Sequence, residues 1–156
     1  MSAEDARRAF VPDRRRVPRG GRRDYDRSGR DPMLLVAESY NEVRRVYVRY
    51  LNLFGFLVKE AQNASETIDT LLSSAPRVIL AEPRMLTLSA TRSWERMRTE
   101  QRTRSTPIIF LATDFDVPED VVRRFRPAAV LHKPFHLTSL TAAVRRVLRT
   151  QAPVIS

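Results

Sequence analysis

Cysteine is absent from the 156 residues and histidine occurs twice. That excludes a disulfide framework and a thiolate metal site, and it leaves little material for a zinc centre. No apolar stretch approaches the roughly 20 residues needed to cross a bilayer. The arginines near the N-terminus are not followed by the apolar segment of a secretion signal, so a cytoplasmic location is expected. Acids are in deficit as well. With 28 Lys+Arg against 18 Asp+Glu the net charge is +10, which predicts attraction to acidic partners, nucleic acid or anionic surfaces and is silent on the fold.

What is present suffices for one domain with a real core, at an apolar fraction of 42%. Residues 1–31 hold ten arginines and six acids among prolines and glycines, with almost no periodic apolar positions. Such a segment buries too little surface to offset its ordering entropy, and it is read as a disordered Arg-rich tail. A folded domain over 32–151 and a short C-terminal tail over 152–156 complete the organisation.

From residue 33 onward, apolar runs alternate with amphipathic segments, the pattern of a parallel sheet with crossover helices. Met33-Leu34-Leu35-Val36-Ala37 reads as a strand buried on both faces. Tyr40 to Leu53 then places Val43, Tyr47, Tyr50 and Leu51 at helical spacing. Gly55 ends that helix, Phe56-Leu57-Val58 supplies a second strand, and Asn63 three residues before Glu66 has the form of a capping box. Val78 to Ala81 gives a third strand, followed by a helix with Leu86, Ala90, Trp94 and Met97 on one face. Pro107 to Leu111, Pro118 to Phe125, Ala128 to Leu131 and Leu137 to Leu148 read as strand, helix, strand and helix. The fold expected is α/β, a five-stranded parallel sheet wound on both sides. In such a sheet chemistry gathers beyond the carboxyl ends of the central strands, where Glu38, Glu82, Ala112 and Lys133 fall.

Four segments in this order, Leu34-Leu35-Val36 before an acid, Pro76 to Glu82, Thr106-Pro107-Ile108-Ile109 and Lys133-Pro134-Phe135, resemble the receiver domains of bacterial response regulators. The resemblance runs from Met33 to Arg149. It implies a flavodoxin-like fold, an aspartate that takes phosphoryl from a histidine kinase, two acids that help hold magnesium, a hydroxyl and a lysine that meet the phosphoryl group, and a cis bond before Pro134.

Measured against that pattern, the chain departs at four positions. The acidic pair after the first strand is represented by Ala37 and Glu38. The phosphoacceptor position carries Glu82, whose extra methylene moves the carboxylate by about 1.5 Å, a misplacement that can cost about a hundredfold in rate. Ala112 stands where the hydroxyl belongs, with Thr113 directed to the opposite face of the strand. Val130 replaces an aromatic that moves on activation. Lys133 is retained, and a direct ion pair from it to Glu82 is expected.

These substitutions imply a degenerate receiver, a non-enzymatic module that binds signalling proteins without a phosphorylation switch, through Val117 to Arg126 and the helix over Leu140 to Leu148. Two alternatives stand beside it: a nucleic-acid-associated protein that uses the basic tail, and a regulator still phosphorylated in an altered geometry. No catalytic residue and no cofactor is expected, apart from a residual magnesium site on Glu38 and Glu82. Structural readings accompany each residue: Glu38 as a solvated acid, Lys133 as the neutraliser of Glu82, His132 and His136 as flanks of the lysine motif with no catalytic partner beside them, His136 beginning the final helix, and Arg92, Arg96, Arg98, Arg102 and Arg104 as a solvated basic face.

Overall fold

The computed structural model describes residues 32–87, 97–113 and 117–151. The tails assigned to 1–31 and 152–156, together with Ala90, Arg92, Trp94 and Arg96, lie outside them. Five parallel strands, β1 (Met33–Ala37), β2 (Leu57–Ala61), β3 (Val78–Ala81), β4 (Ile108–Ala112) and β5 (Ala129–His132), form one sheet in the order β2-β1-β3-β4-β5. The helices are α1 (Asn41–Leu53), α2 (Ala64–Ser74), α3 (Pro83–Thr87), α4 (Glu119–Phe125) and α5 (Leu137–Thr150).

Alternation along the strands divides the core into two layers. Leu34, Val36, Leu80, Ile109 and Leu111 pack with Tyr47 and Leu51 of α1 and with Leu140, Val144 and Leu148 of α5. Leu35, Ala37, Ile79, Ala81 and Phe110 pack on the other face with Ile68 and Leu71 of α2 and with Val121 and Phe125 of α4. Met97 is fully buried in that second layer, as its helical spacing with Leu86 and Trp94 implies for an inward position.

Local signals act as their chemistry dictates, with two corrections. Gly55, at φ 88°, takes the left-handed position that closes α1. Asn63 caps α2 by accepting from the Glu66 amide at 2.8 Å. The reciprocal half of the capping box is not formed: Glu66 accepts from the Gln62 amide at 2.9 Å, one residue before the cap. The second strand begins one residue later than the run Phe56-Leu57-Val58 suggests and extends to Ala61, because Phe56 is drawn into the core at 2% exposure and its amide bonds back to Leu51. Among the described residues no helix is long and apolar enough to cross a membrane.

Candidate functional site at the carboxyl edge of the sheet

β1, β3 and β5 end immediately before Glu38, Glu82 and Lys133, and β4 ends on Ala112. The parallel register places these ends side by side, with Ala37 opposite Ala81 and Ala112 opposite His132. Backbone bonds lock the edge: the Glu82 amide donates to the Ala37 carbonyl at 3.1 Å and the Lys133 amide to the Ala112 carbonyl at 2.8 Å. The Lys133-Pro134 peptide is cis.

The structure overturns the ion pair expected between Lys133 and Glu82. Lys133 Nζ lies 2.6 Å from Glu38 Oε2, with the Glu38 side chain fully buried and that of Lys133 17% exposed. Glu82 is satisfied from another direction. Its Oε1 accepts from the Ser39 amide at 2.8 Å and from the Ser39 hydroxyl at 2.9 Å. Those two donors anchor the longer acid toward the end of β1 and leave the ammonium to Glu38. The hydroxyl at this edge therefore comes from Ser39, whereas Ala112 is buried and offers a methyl, and Thr113 is exposed. Ala37 and Val130 both pack with the α2–α4 layer.

Glu38 and Glu82 are close enough for each carboxyl to shift the titration of the other. Burial, and then the neighbouring Glu82 carboxyl, push the Glu38 carboxyl up to about 7 despite the lowering influence of Lys133. For Glu82, burial raises the carboxyl, but Glu38 and both Ser39 donors, with Lys133 nearby, outweigh it and hold Glu82 below the ordinary range. The pair thus divides its roles, with Glu38 as the protonated partner and Glu82 as the carboxylate. Tyr47 underlies the site, its phenol pushed up to about 12 by burial and by the two nearby glutamates. Its ring stacks on Phe135 at 5.6 Å.

A hard cation requires several ionised oxygens at once, and this donor set does not fit the magnesium that the resemblance implied. Ala37 supplies no carboxylate, one oxygen of Glu38 is taken by an ammonium, and the Glu38 carboxyl keeps its proton up to about neutral pH. Among the described residues no group of three or more His, Cys, Asp or Glu side chains gathers where it could hold a metal ion.

Arg44 belongs to the site and escaped the sequence reading. It is 9% exposed on α1, and it donates to the Glu38 carbonyl at 2.8 Å, Glu60 Oε1 at 3.1 Å and Asn41 Oδ1 at 2.5 Å. One planar fork thereby ties the start of α1 to the ends of β1 and β2. Arg44→Ala is expected to lower the unfolding free energy by about 2 kcal/mol in urea titration, since a buried carbonyl loses its donor. Arg44→Lys should recover little, because one ammonium cannot span three acceptors in fixed directions.

Comparison with solved structures agrees with this architecture. The chain is similar to the chemotaxis response regulator CheY4 of Vibrio cholerae, with 21% identity, a TM-score of 0.65, and coverage of 76% of this chain and 99% of that one. A signal receiver domain of an HD domain-containing protein from Pseudomonas fluorescens matches with 20% identity, a TM-score of 0.67, and coverage of 78% and 98%. A response regulator receiver protein from Pseudomonas putida matches with 24% identity, a TM-score of 0.63, and coverage of 75% and 98%. No family model and no curated protein matches the sequence. The fold is that of response-regulator receiver domains.

Proposed function

We propose that the chain is a degenerate receiver in two-component signalling, a module that binds partner proteins without a phosphorylation switch. The observation that carries this reading is the occupancy of the acceptor position. Glu82 is 2% exposed, and its carboxylate is held by two donors of Ser39 beside the carboxyl of Glu38. Attack on a phosphoryl donor needs an oxygen free to approach in line. Here that oxygen would have to break buried hydrogen bonds, with Lys133 already committed to Glu38 and no ionised pair of acids to hold magnesium. The edge of the sheet at β5, flanked by α4 on one face and α5 on the other, is the surface assigned to partners, and Val122 of α4 stands 37% exposed. The domain assigned to this role spans 32–151.

Incubation with a small acyl phosphate and magnesium, followed by intact-mass measurement, tests the proposal. No adduct is expected under conditions that label an aspartate-bearing receiver run in parallel. A stable phosphoryl adduct on Glu82 would overturn the reading and favour the phosphorylated regulator.

A further inference from the structure

At the opposite edge of the sheet, where Pro107 and Ala128 precede β4 and β5, lies an open cavity of about 340 Å³. Arg98, Arg124 and Arg126 line it together with Ser105, Thr106 and Phe125, and no acid is among the described residues that do. The volume lies in the range of small-ligand sites. A five-residue strand spans about 17 Å, so this cavity is remote from the carboxylate cluster and independent of the function proposed for it.

The arginines are placed by the fold. Arg98 is half-buried, and its Nη1 and Nη2 donate to the carbonyls of Arg104 at 3.1 Å and Phe125 at 3.0 Å. Those bonds brace the approach to β4 against the end of α4. Carbonyl acceptors orient a guanidinium without neutralising it, and burial holds Arg98 below the ordinary arginine value. Arg124 lies with its guanidinium carbon 5.4 Å from the centroid of the Phe125 ring. Arg126 closes α4 in the left-handed conformation at φ 45°. Three arginines and two hydroxyl-bearing residues thus line one concave surface, a combination suited to a tetrahedral dianion that accepts several charge-assisted hydrogen bonds.

We propose that this cavity binds a small phosphate-bearing ligand, either a free phosphate compound or the phosphate of a mononucleotide. Anion binding there offsets the mutual repulsion of the three guanidiniums and ties α4 to the segment that enters β4.

Isothermal titration of the full chain with inorganic pyrophosphate and with adenosine monophosphate, in about 150 mM NaCl to screen diffuse attraction, tests this. Saturable binding of one equivalent is expected for at least one probe. Arg124→Gln and Arg126→Gln should each weaken it about tenfold or more, and Arg149→Gln, an exposed change on α5, should leave it unaltered. Binding of pyrophosphate alone identifies a free phosphate compound as the ligand, and binding of both probes identifies a nucleotide-compatible site. Both Gln variants alter exposed side chains and should keep the wild-type unfolding midpoint. The proposal is overturned if neither probe saturates, or if Arg149→Gln weakens binding as much as the pocket variants do, since the attraction would then be only that of a basic chain.

Discussion

Lys133→Met is expected to lower the unfolding free energy at pH 8 by about 3 kcal/mol or more, the range found when one partner of a buried ion pair is removed. Glu38 is fully buried and holds the ammonium at 2.6 Å, and Glu82 lies against it. Without the lysine, two carboxyls share a pocket with no cation. Above neutral pH both must then stay ionised unpaired, or one must take a proton from solvent at a cost. Near pH 5.5 the loss should be much smaller, because a proton on Glu38 already removes one of the two negative charges. Glu38→Gln combined with Lys133→Met should recover most of the loss, since neither buried residue then demands a counter-charge. Urea titrations of the four proteins at both pH values give the coupling directly. An unchanged midpoint for Lys133→Met at pH 8 would refute the buried pair.

Much of the architecture could be read from the sequence because burial on both faces leaves a coarse mark. Leu34-Leu35-Val36-Ala37 and Val78-Ile79-Leu80-Ala81 are continuous apolar runs, and all eight residues are buried. Gly55 and Asn63 mark helix ends through chemistry that is local to one or two residues. Site contacts are different, because they depend on which of two acids on adjacent strands the lysine reaches. An added methylene on Glu82 suggested a reach toward Lys133, but two donors from Ser39 turned that carboxylate the other way. Ser39 directly follows Glu38, and a hydroxyl beside an acid at a strand end was the available signal. Arg44 carried a signal too: it shares the inward stripe of α1 with Tyr47 and Leu51, three and seven residues on, where a cation needs acceptors.

The buried Glu38–Glu82 cluster is a proton site, and its consequence is a stability that falls as pH rises through neutrality. An ordinary glutamate carboxyl in the unfolded chain titrates at 4.5, whereas folded Glu38 titrates at about 7. Between those values the native state binds a proton that the unfolded state has lost, so its contribution is complete below 4.5 and vanishes above 7. Glu82 acts with the opposite sign. Its lowered carboxyl contributes above 4.5 and loses that contribution only in more acidic solution, so it is constant across the neutral window. From pH 5 to pH 8 the unfolding free energy should therefore fall by about 2–3 kcal/mol from Glu38. Glu38→Gln copies the protonated carboxyl: its amide can donate to Glu82 while its carbonyl accepts from Lys133. The variant should match the wild type near pH 5, exceed it by about 2 kcal/mol at pH 8, and show a nearly flat profile between. Unfolding measured at half-unit steps of pH checks all three features. A wild-type profile already flat from 5 to 8, or a Gln variant less stable at pH 8, would mean that Glu38 is ionised throughout and that Lys133 alone governs the pair.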